Sequence, residues 1–523
     1  MPHDMEFLLL STPTQHAARN PAVELNPRRL RQWLFDLPIM NVPETVRQLE
    51  ARIRPFNEMT LDADERLKLL EVLFEAFDEI LFSYDDLRLS MLPISPEERR
   101  ALAQDIMWLY LQLAAGYKII VLAHFENRGR GIRDNTLLLA LFRAMELLAH
   151  ALLYAYRAHE TPPPLTFLEL YQLYRYARRC KLHQQRLRQI RGYADIPTVE
   201  RLFKQVMLLS MADPYHMSGQ AVFENFLLLD TVCDAAEVSP LDECPADQPA
   251  FRFVYEEDAP PIHCAFARKD GVTGEGGVLQ VAGVIERLKS QADSANGHDA
   301  QLLTDLARRL GNPEERREAR KAAARTIHLT TGVTAVRHFL ARPEHIASAM
   351  QTEEHDGIAV RDLDSAEAAD CALFPCQVRN ISSRGYLLQC DPRSLPIEPV
   401  VGDVIGVVDE ERLPDPTTLH LGLARWLKQV DDGRLHLGVE IVPGIPRPIR
   451  IHPNNGSRET MDGFHFALDK AAGHPARLLI PAALQGSDER FRVHIAGQIY
   501  TIAPRRTLLT TEQWLLITFI LQT

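Results

Sequence analysis

The stretch "VRNISSRGYLLQ", residues 378–389, places a short polar run and a glycine between two apolar segments with the composition of β-strands. Asn380 and Ser382 stand two residues apart, so an extended strand would project both side chains to one face. Both can hydrogen-bond a flat polar ligand or the local backbone. Gly385 is expected to allow the positive φ of a turn before the strand resumes. The stretch predicts a hairpin whose polar end is either a ligand contact or an ordinary turn.

Further strand-like segments surround this hairpin. They are "TIHLTTGVTAV" (326–336), "GDVIGVVDE" (402–410), "LHLGLARWLKQV" (419–430), "RLHLGVEIV" (434–442), "ARLLIPAAL" (476–484), "RFRVHIAGQIYTIAP" (490–504) and "QWLLITFIL" (513–521). Asp432 and Gly433 between two of these segments favour a tight hairpin turn. The C-terminal 200 residues or so are therefore expected to form small antiparallel barrels or meanders.

The N-terminal part shows helical patterns instead. Ser95, Pro96 and Glu98 have the spacing of a helix N-cap with a capping box, and Thr166 with Glu169 repeats that signal. We expect a multidomain α+β protein in which an all-helical domain precedes a β-barrel. The expected domains are 1–232 (helical), 233–311 (a small mixed or connector segment), 312–445 (a β-barrel with an acidic insertion at about 341–372) and 446–523 (a C-terminal β extension).

Composition limits the functional classes. The chain has 523 residues and a formal net charge of -12, which argues against general DNA or RNA binding because phosphate neutralisation needs cationic surface. The most apolar helix candidate, residues 134–156, is interrupted by Arg143, Glu146 and His150, so no membrane span is expected. No signal peptide is visible, and the expected compartment is the cytoplasm. The seven cysteines are scattered, and neither a disulfide framework nor a zinc site is expected.

The sequence lacks the common catalytic motifs. It has no GxxxxGK[ST], HExxH or GxSxG, and no cofactor is implied. His263 beside Cys264 is expected to be incidental, because catalytic partners meet in space rather than in sequence. We therefore expect no enzymatic activity.

Two basic segments are candidate contact surfaces. Residues 171–193 carry arginines from Arg175 to Arg191 without an acid, which suits an acidic partner or, equally, a solvated helix face. In "GNPEERREARKAAARTIHL", Arg316 and Arg320 stand at i and i+4 of an expected helical turn. Like charges at that spacing repel, and a bound anion would relieve the repulsion. Nearby glutamates could also neutralise them locally.

Taken together, Arg-x-x-x-Arg before a barrel and Asn-x-Ser-x-x-Gly on the barrel resemble the PilZ domain family, bacterial receptors for the second messenger cyclic di-GMP. The resemblance covers roughly residues 313–445, including "VVGDVIGVV", the hairpin at 421–442 and the position of Gly438. It implies that Arg316 and Arg320 hold phosphates and guanine edges, that Asn380 and Ser382 contact a guanine, and that Gly385 shapes the turn. Auxiliary contacts are assigned to Arg317, Arg325, Arg379 and Arg384.

One feature departs from the family pattern. Arg320 and Asn380 are separated by 60 positions, more than the resemblance leads us to expect, and residues 351–370 contain seven acids and a single arginine. Such an insertion would weaken anion binding unless it loops away. It could also be a protein-binding element or a lid.

Two functional hypotheses follow. The first is a cyclic di-GMP effector that passes the signal through its helical domain to an unknown protein partner or to a second copy of the chain. The alternative is a scaffold protein whose PilZ-like barrel no longer binds nucleotide and which acts through the basic face at Arg178–Arg191. The sequence does not say whether the strands from 475 onwards complete the first barrel or form a second one.

Overall fold

The computed structural model describes residues 7–17, 20, 23–83, 95–187, 197–243, 245, 248–266, 274–311, 321–351, 371–395, 399–409, 419–430, 433–453, 460–470, 473–484, 490–495 and 498–522. The chain divides into two compact units. The first comprises Met1–Pro214 and Gly219–Glu314, and the second comprises Tyr215–Ser218 and Glu315–Thr523. A helical N-terminal region is followed by antiparallel β-barrels, so the predicted multidomain α+β fold class is confirmed.

The first unit is built mainly from helices. They are α1 (Pro27–Phe35), α2 (Val42–Glu58), α3 (Ala63–Ser83), α4 (Pro96–Glu126), α5 (Asp134–Arg157), α6 (Thr166–Arg179), α7 (Val199–Met211), α8 (Gly219–Val232), α9 (Ala282–Ser294) and α10 (Gly297–Gly311). Ser95 caps α4 as the sequence predicts, and Glu98 completes the capping box. The α6 prediction was right in position but wrong in its cap, because Leu165 precedes the helix with φ 68° and no side-chain bond.

Two helices form the centre of this unit and have the length and composition of membrane spans. In α4 the apolar segment is Arg100–Glu126, and in α5 it is the whole helix. The most apolar windows are 72% and 89% buried inside the protein, respectively, and core helices of soluble domains meet the same criteria. They are therefore weak evidence for a membrane span.

A small antiparallel sheet belongs to the same unit. Its strands are β1 (Glu237–Pro240), β2 (Ala250–Val254), β3 (Ile262–His263) and β4 (Gly276–Gln280), in the order β1-β4-β2-β3. Phe253 of β2 stacks on Tyr171 of α6, with ring centroids 5.2 Å apart, so the sheet packs directly on the helices.

The second unit contains two closed six-stranded barrels. The first consists of β5 (Lys321–Thr331), β6 (Phe374–Ile381), β7 (Gly385–Cys390), β8 (Val404–Val408), β9 (His420–Gln429) and β10 (Leu435–Ile441), in the order β10-β7-β6-β5-β8-β9. All neighbouring strands are antiparallel. Alternate residues point inward and form one apolar core, as a strand period of two requires.

The second barrel answers the question that the sequence leaves open. Its strands are β11 (Pro446–His452), β12 (Met461–Phe466), β13 (Arg477–Pro481), β14 (Phe491–Ile495), β15 (Gln498–Thr510) and β16 (Trp514–Gln522), in the order β11-β12-β13-β16-β15-β14. These strands therefore close on themselves and do not complete the first barrel.

Two helices follow β5, where the sequence pattern suggests one continuous strand. The prediction for 326–336 was wrong in its second half, because the strand ends at Thr331 and α11 (Val333–Ala341) begins after Gly332. It is followed by α12 (Glu344–Gln351). Val336 and Phe339 join a core that also contains residues from the outer faces of both barrels, so the two barrels share buried surface. The acidic run at 352–370 lies outside the described residues.

The expectation that the cysteines form no disulfide was wrong. Cys376 and Cys390 are directly opposite each other on β6 and β7 and are joined by a disulfide inside the first barrel. Cys264 is disulfide-bonded as well. Cys180 and Cys233 are free thiols.

Candidate ligand-binding site

A β-bulge determines the face on which Asn380 lies. The register between β6 and β7 shifts between Val378 and Asn380, so Val378 pairs with Leu388 but Asn380 pairs with Leu387. Leu388 is buried in the barrel core, whereas Leu387 lies on the opposite face of its strand. Asn380 consequently faces the outside of the barrel and is partly exposed. A bulge is a common way of redirecting side chains beside a binding site.

The turn after β6 is held by hydrogen bonds of Ser382. Its backbone N–H donates to the carbonyl oxygen of Gly385 at 2.9 Å, and its hydroxyl oxygen accepts from the backbone N–H of Arg384 at 3.3 Å. These bonds position the tip of the hairpin, at which Arg384 is exposed.

The predicted reason for Gly385 was wrong. Its φ is not positive. A Cβ at this position would instead lie 2.0 Å from the backbone oxygen of Val439 in β10. Glycine is required because β10 passes too close for any side chain.

Three charged side chains meet beside the turn. Arg384 Nη2 donates to Glu440 Oε1 at 2.8 Å, and Arg425 Nε lies 3.3 Å from Glu440 Oε2. Two guanidinium groups thus share one carboxylate, which leaves a local surplus of positive charge. Such a surplus favours an anionic ligand, although exposed pairs of this kind are individually weak.

The other two described arginines of the predicted set lie apart from this trio. Arg379 is the bulged residue, and its Nε donates to Gln389 Oε1 at 2.5 Å. Arg325 shares its strand face with Ile327 and Leu329 of the core and forms an ion pair with the buried Asp409. Its guanidinium therefore points into the end of the barrel.

The carboxylate of Asp409 is the centre of a buried polar cluster. Besides the bond from Arg325, it accepts a hydrogen bond from the Tyr386 hydroxyl at 2.7 Å. Asp409 is 2% exposed. Arg325 thus compensates a buried negative charge, a structural task that the sequence analysis did not assign to it.

Three predicted residues, Arg316, Arg317 and Arg320, lie outside the described residues. The chain that carries them continues directly into Lys321, the first residue of β5. Lys321 pairs with Ile381, and Ala322 pairs with Asn380. The arginine segment is therefore joined to the barrel beside the Asn380–Ser382 end of β6.

An aromatic residue on the same outer face was missed by the sequence analysis. Four paired positions cross the neighbouring strands β9, β10, β7 and β6 in one row. They are Trp426, Gly438, Leu387 and Asn380, in that order. A Cβ on Gly438 would come within 2.0 Å of Trp426 Nε1, so the indole covers the glycine. With three strand spacings between them, Trp426 and Asn380 are roughly 14 Å apart. A tryptophan opposite a glycine on paired strands is the signal that could have revealed this arrangement.

Two arginines of the second basic segment bond residues of the small sheet or of its connections. Arg175 forms ion pairs with Glu256 and Glu275, which flank the small sheet. Arg178 Nη1 donates to the Tyr255 hydroxyl at 3.4 Å. Residues 188–196 lie outside the described residues. Arg175 and Arg178 thus help to attach α6 to the sheet.

The comparisons with known proteins point to one kind of receptor. Residues 28–243 match a family model described as the N-terminal domain of the cyclic-di-GMP receptor FimW. A curated relative from Pseudomonas aeruginosa strain PAO1, named cyclic-di-GMP receptor FimW, is 21% identical in an alignment that covers 98% of this chain and 92% of the relative. No solved structure matches the chain.

Proposed function

We propose that this protein is a cyclic-di-GMP-binding effector without catalytic activity. The observation that carries the proposal is the similarity to a cyclic-di-GMP receptor along 98% of this chain, including both barrels as well as the helices. The match of the helical region to the FimW N-terminal model supports it independently of the barrel motifs. The expected compartment of such a receptor is the cytoplasm.

We place the ligand on the outer face of the first barrel, which we propose to be of the PilZ type. Asn380 and Ser382 would contact a guanine, and Gly385 would let the backbones pack closely beneath it. Arg384 at the tip of the hairpin would add charge, and Arg379, which lies on β6 and bonds Gln389, would be an auxiliary contact. Charge-assisted bonds from arginine to phosphate are roughly twice as strong as neutral ones.

Arg316, Arg317 and Arg320 would complete the site from the segment before β5. Arg320 is bonded to Lys321, and five residues of chain span at most about 18 Å, so Arg316 is also within reach of the Asn380 end. Arg325 contributes less directly, because its guanidinium is engaged with Asp409.

The proposed mechanism is ordering of the arginine segment. The ligand would fix this segment against the barrel, and because the segment directly follows α10, its ordering would bias the helical unit towards one arrangement. The helical unit would then present a surface to a protein partner or to another copy of the chain.

Calorimetric titration of the full-length protein with cyclic di-GMP tests the binding. We expect saturable binding at micromolar concentration or tighter, and none of similar strength for GTP. Absence of both heat and a thermal shift would favour the alternative, a scaffold with a degenerate barrel.

The site assignment needs paired variants. The double variant R316A/R320A is expected to lose at least 100-fold in affinity while its melting temperature stays within about 1 °C. The control R447A/R492A removes two exposed arginines from the second barrel and should bind as the unaltered protein does. Retained affinity in R316A/R320A would overturn the assignment but leave receptor function standing.

A further inference from the structure

The second barrel has an open cavity at one end. It has a volume of about 1020 Å³ and lies where β12 ends and β13 and β15 begin. Its lining includes Arg477, Arg505, Arg506, Tyr500, Phe519 and Leu521. Mouths of β-barrels are common places for small-molecule sites, and this volume is at the upper end of the usual range.

The charged part of the wall is entirely basic. The lining contains three arginines and two histidines but no carboxylate. Arg505 and Arg506 are exposed, and neither side chain forms an ion pair with any residue in the described part of the chain. In a protein with net charge -12, an unneutralised cationic rim is a specific local feature.

Two basic side chains lie deeper in the cavity than Arg505 and Arg506, and they change the positive potential of the rim little. Arg477 is 4% exposed, and its Nη2 donates to the carbonyl oxygen of Pro443 at 2.6 Å while its Nε has no partner. Burial and the positive charge of Arg447 lower the pKa of His465, which keeps that imidazole neutral at pH 7.

The rest of the wall is apolar. Tyr500 and Phe519 pack against the barrel core and are only partly buried, and the His465 and Phe519 rings are in edge contact at 6.3 Å. Leu508 and Leu521 are 43% and 53% exposed, respectively. A hydrophilic anion would leave the apolar part of the wall exposed to water. A neutral hydrocarbon would leave the charges of Arg505 and Arg506 without a counter-charge.

We propose that this end of the second barrel binds an amphiphilic anion, a molecule with one acidic head group and a hydrocarbon body. The head group would pair with Arg505 and Arg506, and the hydrocarbon would cover Tyr500, Phe519 and Leu521. This site is separate from the proposed cyclic-di-GMP site, since none of its residues lies on the first barrel.

Titration calorimetry with dodecanoate below its micellar concentration tests the proposal. We expect saturable binding that is at least tenfold tighter than that of dodecyl maltoside, which has the same chain and a neutral head. Butyrate, with the same head and almost no chain, should also bind at least tenfold more weakly. Equal binding of dodecanoate and dodecyl maltoside, or no saturable binding of dodecanoate, would overturn the proposal.

Variants then locate the site. R505A/R506A and L508N/L521N are each expected to weaken dodecanoate binding at least tenfold. The controls are R492A and I499N, which change exposed residues of the same barrel that do not line the cavity. Unchanged affinity in R505A/R506A would refute the site. R316A/R320A should bind dodecanoate normally, because it changes only the proposed cyclic-di-GMP site. The two proposals can therefore fail independently of each other.

Discussion

Asp409 shows how one carboxylate stabilises the first barrel. It is buried, it is bonded by Arg325 and by the Tyr386 hydroxyl, and it follows the last residue of β8. Arg325 shares a strand face with Ile327 and Leu329, so a count of alternate positions along β5 would have shown that it points inward. The positive charge of Arg325 suggested a ligand contact. Its position on β5 places the guanidinium beside the buried carboxylate of Asp409.

Replacing Asp409 by asparagine should therefore destabilise the first barrel. We expect Asp409→Asn to lower the free energy of unfolding by about 3 kcal/mol, because it leaves the Arg325 charge without its buried partner. Urea unfolding followed by tryptophan fluorescence measures this loss. The matched control is Glu440→Gln, which removes the partner of the 61% exposed Arg384 and should cost less than about 1 kcal/mol. Equal effects of the two substitutions would contradict the structural role of Asp409.

Gly385 illustrates what a local pattern cannot supply. The sequence showed correctly that a glycine was needed next to the turn, but it suggested the wrong cause. The backbone that would collide with a side chain belongs to Val439, 54 positions further along the chain. Only the pairing of β7 with β10 reveals that close approach.

At the scale of the elements, the disulfide follows from the register of β6 and β7. Cys376 and Cys390 are equally far along the sequence from Ser383 in the middle of the turn, so the predicted hairpin is sufficient to pair them. The number and spacing of the cysteines alone do not reveal this disulfide. The face of Asn380 was harder to predict, because it depends on a bulge that no residue type announces.

This cross-link makes a measurable prediction. Relative to the oxidised protein, C376A/C390A should lose about 3 kcal/mol of unfolding free energy, the value expected for a loop of roughly 15 residues. Because both cysteines are buried, alkylation of the denatured but unreduced protein followed by mass spectrometry provides the direct check. Cys376 and Cys390 should stay unlabelled while the half-buried thiol of Cys180 reacts. Labelling of all three before reduction would rule out the cross-link.

Most element types were predictable because their signals are local. A capping box identified α4, and the strand-like segments identified most strands of the first barrel and β13 to β16 of the second, whereas β11 and β12 were not predicted. The error at 333–336 arose because a run of valine, threonine and alanine after β5 suits either structure, and Gly332 is what separates strand from helix. Closure of 446–522 into its own barrel depends on long-range pairing, in particular the insertion of β16 between β13 and β15.

At the scale of the whole molecule, one buried and four half-buried histidines among the described residues give stability a definite pH dependence. Burial lowers the pKa of His124, His183, His263 and His338, as it does for His465. The unfolded chain therefore binds more protons than the folded one below the unfolded pKa of about 6.5. The contribution of these histidines to the stability is fully present above that pH and is lost as the pH falls towards their lower pKa values in the folded state.

Thermal unfolding at pH 7.5 and pH 5.5 tests this expectation. The midpoint should be lower at pH 5.5, and the difference should shrink in His124→Gln, in which one contributing group no longer titrates. Burial raises the pKa of Asp403, which acts in the opposite direction because the folded carboxyl then binds a proton more readily than the unfolded one. A midpoint that rises on acidification would contradict the assignment.

The closed barrels also bear on how the protein behaves at high concentration. A sheet that closes on itself has no unpaired edge strand on which a second molecule could add its own backbone. Among the described strands, only β1 and β3 of the small sheet are at an edge. β1 ends at Pro240, which lacks a backbone donor, and β3 has two residues, so neither is a good template for aggregation. The described β-structure is therefore protected against edge-to-edge polymerisation.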